Sequence, residues 1–249
     1  MEKEQPSSTA ADSERLLKAI AVRFTLIFLI PLAATVAVSL YAYSLASRVK
    51  EVEALALVMN TERVWQKDKN NEWALAEYQK IKEKYPRPEV SARLGALHYA
   101  RGDKKSAYEV LDQAKKPNPE YWEIYATLAY LYLADGREKD ALDSGETALK
   151  LNPNDVQTLN NLAWIYATTK DEGLRNLAKA KTYAVKAVSL TNQEQSTYLD
   201  TLAEVYFRNG DKGAALNTIQ RAIDRERRDV VYLEGQLRRF QVKYESTGR

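Results

Sequence analysis

The sequence predicts an all-α protein, a solenoid of helical hairpins that follows one N-terminal transmembrane helix. Three observations support this fold class. The segment from Trp122 to Pro153 has the three-and-four apolar spacing of two amphipathic helices, separated by a turn at Gly136. Similar hairpins recur, because a small residue that opens each second helix returns every 33 to 39 residues. No charged residue occurs from Phe24 to Ser47, and about 20 apolar helical residues cross a bilayer.

The repeat period is set by the small residues that open the second helices, namely Ala74, Ala107, Ala141, Ala180 and Ala215. Their intervals are 33, 34, 39 and 35 residues, and the longest interval contains the sequence DEGLR at 171–175. We interpret these five residues as an insertion in a turn, since removing them restores a period of 34. One hairpin of this size cannot bury its own apolar face, so the copies are expected to stack.

The chain divides into five predicted segments. They are a polar N-terminal tail at 1–22, a transmembrane helix at 23–47, a helical stem with a degenerate first repeat at 48–87, four repeats at 88–228 with the insertion at 171–175, and a C-terminal capping helix and tail at 229–249. The first repeat is degenerate because Thr61 and Glu62 stand where the other repeats have leucine and a small residue. The capping helix is expected because a stack of repeats needs a polar end.

Two other interpretations of the apolar segment stay open: a buried helix of a soluble core, and a cleavable signal peptide with Ser44 and Ala46 at the cleavage spacing. The segment is longer than the roughly 7–15 apolar residues of a signal peptide, which favours a retained anchor.

In the tail, a short helix from Ser13 that leads into the membrane is an alternative to a disordered segment. Ala33 and Ala37 lie one turn apart, and would let the apolar helix pack closely on a partner helix.

The charges beside the apolar segment leave its orientation undecided. Three basic residues flank each end, Arg15, Lys18 and Arg23 before it and Arg48, Lys50 and Arg63 after it. A short basic tail before a first apolar helix is typical of a signal anchor. We therefore expect the N-terminus in the cytoplasm and the repeats outside it.

Composition argues against nucleic-acid binding and against most catalytic chemistries. The net charge of +3 is too small for a nucleic-acid footprint. With no Cys and only one His, His98, the chain lacks disulfides, Cys–His nucleophiles and the common zinc spacings. Asp200 and Glu204 share a helical face, and we interpret them as a solvated or peptide-binding edge rather than an acid–base pair. We predict no enzymatic activity and no cofactor.

The repeats resemble the tetratricopeptide repeat (TPR) family, whose 34-residue unit is a pair of helices. The family pattern places leucine, a small residue and then an aromatic residue in each first helix. The matching positions are Leu94, Gly95 and His98; Leu128, Ala129 and Tyr132; Leu162, Ala163 and Tyr166; and Leu202, Ala203 and Tyr206. The resemblance extends from Leu55 to Tyr244. It implies a right-handed superhelix whose first helices line a concave groove.

The resemblance also implies which side chains line that groove. Carried onto this sequence, the candidate peptide-binding residues are Tyr99, Tyr130, Leu133, Asn160, Trp164, Asp200, Glu204 and Phe207. Aromatic rings on such a surface are candidate anchors for a bound peptide, and the two carboxylates would form an acidic end. In the alternative interpretation, the rings pack on neighbouring repeats or on the C-terminal helix.

One family subclass clamps the acidic C-termini of heat-shock chaperones with lysine, arginine and asparagine side chains. Here the corresponding positions carry no cation, and Ala92, Ala126, Asp200 and Glu204 are among them. That clamp is absent. A peptide with apolar side chains, and a basic residue near Asp200 and Glu204, suits the predicted groove better.

The resemblance to bacterial inner-membrane TPR proteins implies a membrane-anchored scaffold whose repeats face the periplasm. Proteins of this class assist secretion, cytochrome maturation, pilus assembly or polysaccharide export. We expect a protein or peptide partner in the groove and contact with the membrane through the N-terminal helix. The alternatives are a structural subunit held mainly by that helix, and a receptor whose repeats face the cytoplasm.

Overall fold

The computed structural model describes residues 8–25, 30–192, 195–226 and 230–246, and these residues form helices and connecting turns without a strand. The described helices are α1 Ser8–Phe24, α2 Ile30–Asp68, α3 Asn71–Lys84, α4 Pro88–Ala100, α5 Lys104–Lys115, α6 Trp122–Ala134, α7 Glu138–Leu151, α8 Val156–Thr168, α9 Leu177–Leu190, α10 Ser196–Arg208, α11 Lys212–Arg225 and α12 Val231–Ser246. The predicted all-α fold class is confirmed.

The chain forms two compact units, Met1–Asn60 and Thr61–Arg249. In the first unit, the tail that was expected to be polar and without structure is helical from Ser8, as α1. The predicted transmembrane segment 23–47 begins at the end of α1 and continues in α2, while its residues 26–29 lie outside the described part. By length and composition alone, α2 contains a candidate membrane span, near the N-terminus and without burial in the protein.

The second unit is a stack of helical hairpins. The pairs α4–α5, α6–α7, α8–α9 and α10–α11 pack within each hairpin, and the first helices α4, α6, α8 and α10 pack on one another in order. Helix α3 packs on α4 at one end and α12 packs on α11 at the other. The alanines that set the repeat period, Ala107, Ala141, Ala180 and Ala215, have no exposed surface, because the helices approach most closely there.

Glycines permit two of these close approaches. A Cβ atom built on Gly95 in α4 would lie 2.6 Å from Cγ of Leu111 in α5, and one built on Gly145 in α7 would overlap Cδ1 of Leu162 in α8. Any side chain at these positions would push the helices apart, which explains why small residues mark the hairpin faces.

Three of the four hairpin turns have the same hydrogen-bonded geometry. Gly102, Gly136 and Gly210 have φ of 88°, 72° and 80°, a left-handed conformation that suits glycine at the end of a helix. In the last of these turns, the amide of Gly210 donates to the carbonyl of Phe207 and that of Asp211 to the carbonyl of Tyr206. Asp211 then caps α11 by accepting from the Ala214 amide.

The turn of the third hairpin contains the insertion. The Asn176 amide donates to the carbonyl of Tyr166 over 3.0 Å, and the Asn176 side chain caps α9 through the Lys179 amide. These are the bonds that Asp211 makes in the last hairpin, so residues 171–175 are looped out of an otherwise regular turn. Arg175 secures the loop by donating to the carbonyl of Thr169.

Candidate functional site

The eight candidate groove residues lie on the first helices α4, α6, α8 and α10. We call the accessible part of this surface the open groove, formed by Tyr130 and Leu133 on α6 and by Asn160 and Trp164 on α8. The Tyr130 side chain is 47% exposed, and the other three residues are half-buried. Leu133 lies at the base of the open groove, since it is partly buried against the main hydrophobic core cluster.

Asn160 has a buried oxygen atom without a donor. Its Oδ1 is shielded from solvent and accepts no hydrogen bond from any residue that the structure describes. A buried polar atom without a partner costs about 1–3 kcal/mol. A ligand that donates a hydrogen bond there would remove this cost.

Tyr99 contacts the next repeat. Its hydroxyl donates to Oδ1 of Asp135 over 2.6 Å, and the Lys104 ammonium lies 5.4 Å from the centre of its ring. These contacts join α4 to the end of α6 across the repeat boundary. They match the alternative in which a groove ring packs on a neighbouring repeat.

Glu204 and Phe207 are covered by the C-terminal helix. They are 2% and 7% exposed. The Phe207 ring stacks on Phe240 of α12 with centroids 4.4 Å apart, and Glu204 accepts from Arg208 at 2.7 Å and from Arg239 of α12. The expectation of an accessible acidic and aromatic end is therefore wrong for these two residues, because α12 packs on the face that would have offered them to a peptide.

Asp200 lies at the edge of the same covered region. Its pKa is raised to about 6, mainly by burial and then by the neighbouring carboxylate of Glu204, while a hydrogen bond from Tyr232 of α12 opposes both effects. The carboxyl group therefore titrates near neutrality, beside a residue of the capping helix.

In a comparison with known protein families, the family model of the tetratricopeptide repeat matches residues 123–155. These residues form a tetratricopeptide repeat, and the stack of hairpins has the TPR solenoid fold. A search of curated proteins gave no match. Similar solved structures include TTC0263, a thermophilic TPR protein of Thermus thermophilus, at 18% identity over 76% of this chain and 99% of that chain, with a TM-score of 0.58.

Two further TPR neighbours come from other organisms. Pseudomonas aeruginosa pilF is 15% identical over 80% of this chain and 93% of its own, with a TM-score of 0.60. Yeast Tom70 is 18% identical over 79% of this chain and 40% of its own, with a TM-score of 0.59. These identities show the fold. The TPR fold itself indicates a protein–protein interaction scaffold, and such repeats are generally interaction modules without catalysis.

Sequence reasoning gave no specific role to Glu123, which is in the first turn of α6. It lies two helical turns before Tyr130 and therefore on the same face of α6. Burial raises its pKa, and the nearby Arg93 partly offsets that effect. Its Oε2 is buried and accepts no hydrogen bond from the described residues. The signal was present in the sequence, because Glu123 occupies the first groove-lining position of this TPR.

Two clusters were also not predicted from the sequence, and in each of them two tyrosine hydroxyls donate hydrogen bonds to one carboxylate. Asp135 accepts from Tyr99, from Tyr108 at 2.8 Å and from Lys104 at 2.5 Å, and these bonds, that from Lys104 first, lower its pKa to about 2. The abundance of tyrosine, 16 residues, was the available signal. Each hydroxyl needs a partner when it is partly buried, but the sequence does not say which one.

The second such cluster is centred on Glu146 of α7. It accepts from Tyr166 at 2.6 Å, Tyr183 at 2.9 Å and Lys179 at 2.8 Å. Burial alone would raise the pKa of Glu146, but these three donors lower it below its ordinary value. The cluster borders a cavity of about 250 Å³ beside the insertion loop. Its charged groups are already paired, so we assign it a structural role.

The lone histidine lies beside an acidic residue of a hairpin turn. His98 lies in the last turn of α4, with Nδ1 3.5 Å from Oδ2 of Asp103 at the hairpin turn. Within the described ranges, no three His, Asp or Glu side chains come close enough to hold a metal ion. These residues belong to turns and helix packing.

Proposed function

We propose that this TPR protein is a membrane-anchored scaffold that binds a partner protein or peptide in the open groove, within an assembly, secretion or maturation complex. The observation that carries the proposal is the pair Tyr130 and Trp164 on adjacent first helices. Tyr130 is 47% exposed, while the groove rings of two other repeats have partners: Tyr99 donates a hydrogen bond to Asp135 and Phe207 stacks on Phe240. Rigid aromatic side chains on a surface are the usual anchors of protein interfaces.

The test of the groove is a pair of variants of the full chain. Tyr130→Ala with Trp164→Ala should lower recovery of cross-linked partners at least tenfold, because truncating an anchor costs about 2 kcal/mol or more. Val185→Ala, which removes an exposed apolar side chain from the second helix α9, is the matched control. Partner recovery that is equal in both variants, with helicity unchanged, would overturn the proposal.

We further propose that α2 anchors the protein in a bacterial inner membrane with the repeats in the periplasm. The apolar composition of α2 and the short basic segment before it support this placement. Alkaline phosphatase fused after Arg249 should be active, since that enzyme folds only outside the cytoplasm. An inactive but stable fusion would instead support a cytoplasm-facing receptor.

A second candidate function is that of a structural subunit held mainly by its membrane helix. Ala33 and Ala37 favour it, since both lie on the exposed surface of α2 one turn apart. Ala33→Leu with Ala37→Leu should then reduce recovery of the complex even when the groove is intact. Unchanged recovery would exclude helix packing at this site.

A further inference from the structure

The face of α6 that lines the open groove also carries a carboxylate oxygen that accepts no hydrogen bond from the described residues. Glu123 lies on the face of α6 that carries Tyr130, and its Oε2 is buried without a hydrogen-bond donor. Asn160 on the neighbouring helix α8 has a buried Oδ1 in the same state. Two acceptors without donors on adjacent helices of one surface are unusual, because buried polar groups are nearly always paired.

The charged groups around Glu123 leave an excess of negative charge. The residues that act on it are Glu89, Asp155 and Arg93. Arg87 pairs with Glu89, and Arg93 is shared, since its Nε also lies 3.6 Å from Oε2 of Glu62. The Arg93 guanidinium thus interacts electrostatically with the carboxylates of both Glu62 and Glu123. The Oε2 atom of Glu123 remains able to accept a hydrogen bond from another cation.

The acidic end expected from the sequence does not offer such a site. Glu204 is already bound by Arg208 and Arg239 beneath α12. The carboxylate that remains for a ligand is therefore at the other end of the groove, two turns from Tyr130. Hydrogen bonds between a cation and a buried carboxylate are stronger than neutral ones.

We propose that the open groove binds an extended segment of a partner protein in which a lysine or arginine donates to Glu123 and an adjacent apolar side chain packs on Tyr130 and Trp164. The main-chain amide of the same segment donates to Asn160. The proposal rests on the groove function above and specifies the chemistry of the partner. It also accounts for the absence of a carboxylate clamp, because the ligand charge is positive.

The test is a double-mutant cycle between the full chain in detergent and two fluorescein-labelled nonapeptides. One peptide carries a single lysine between leucine and phenylalanine, and the other has norleucine in place of that lysine. Glu123→Gln should weaken binding of the lysine peptide about tenfold, the loss of one charge-assisted hydrogen bond. It should change binding of the norleucine peptide less than twofold.

Glu120→Gln is the matched control, since it removes the same charge from an exposed residue three positions away. Glu123→Gln is expected to fold, because burial already disfavours the charged form at this position. Equal effects of the two variants on the lysine peptide, or no binding of that peptide by the unaltered protein, would overturn the cation site. If Tyr130→Ala with Trp164→Ala still weakens binding while Glu123→Gln does not, the groove function stands and only the cation site fails.

Discussion

The ring of Phe240 stacks on the ring of Phe207 with their centroids 4.4 Å apart and their planes 19° apart. The guanidinium of Arg239 lies 4.9 Å from the centre of each ring and also binds Glu204. Helix α12 therefore closes the last repeat with an apolar contact and an ion pair. Glu204 and Phe207, which this helix covers, therefore do not belong to the accessible part of the groove.

Phe240→Ala should lower the free energy of unfolding by about 3–5 kcal/mol, because it leaves a cavity under the capping helix. Urea denaturation of the full chain in mild detergent, followed by circular dichroism, measures the change. Val242→Ala on the same helix removes a 65% exposed side chain and should cost less than about 0.5 kcal/mol. Equal losses would contradict the packing of α12 on α10.

Asp200→Asn should stabilise the protein at neutral pH. The pKa of Asp200 is raised to about 6 by burial and by Glu204, so its charged form is disfavoured in the folded state. The contribution of Asp200 to stability should become more favourable as the pH falls from 7 towards 4, and Asp200→Asn should stabilise the protein by up to about 3 kcal/mol at pH 7. Melting temperatures at pH 7.5 and pH 5 report the difference.

The control for this titration is Asp143→Asn, a change at an exposed carboxylate of α7. It should leave the pH dependence of melting as it is in the unaltered protein. The same slope in the Asp200→Asn variant would show that Asp200 does not carry the effect.

Gly145→Ala should destabilise the protein by about 1–3 kcal/mol, because overpacking forces helices apart. The added methyl group would overlap Leu162 on the next hairpin. Gly213→Ala is the matched control, since that helical glycine has open space around it, and alanine there should stabilise by about 0.5–1 kcal/mol. Chemical denaturation of both variants measures the difference, and a loss at Gly213 as large as at Gly145 would refute the steric explanation.

Glu146→Gln should cost about 1–2 kcal/mol at pH 7, because two tyrosine hydroxyls and Lys179 lose a charged acceptor. The pKa of Glu146 is lowered in the folded state, so its contribution is present above the unfolded pKa and is lost as the pH falls below it. The difference between the variant and the unaltered protein should therefore shrink in acid. Glu172→Gln, in the exposed insertion loop, should change stability at neither pH.

The repeat architecture could be predicted because it depends on local rules. Alanine spacing fixes where helices approach, and the glycines at 102, 136 and 210 fix the left-handed turns. The insertion at 171–175 was also predictable as an interruption of the period. Its anchoring through Arg175 and Thr169 was not, because side-chain partners within a loop depend on its folded path.

The candidate site was predicted only in part. Tyr130 and Trp164 lie on the expected helices, since a period of 3.6 residues fixes the face of a helix. Glu204 and Phe207 lie on the expected face as well, but that face is covered. The unpaired oxygen atom of Glu123 could not be predicted, because the partners of a buried carboxylate depend on the neighbouring repeats.

The sequence by itself determined the helices, their turns and the face that each residue occupies, because these follow from spacing along one chain. Only the tertiary structure decided which faces stay open. Phe240 and Arg239 are about 35 residues from the groove residues that they cover, and no local period relates them. Burial depends on what packs against a face, so the accessible groove and its unpaired carboxylate emerge only when α12 and the neighbouring repeats are in place.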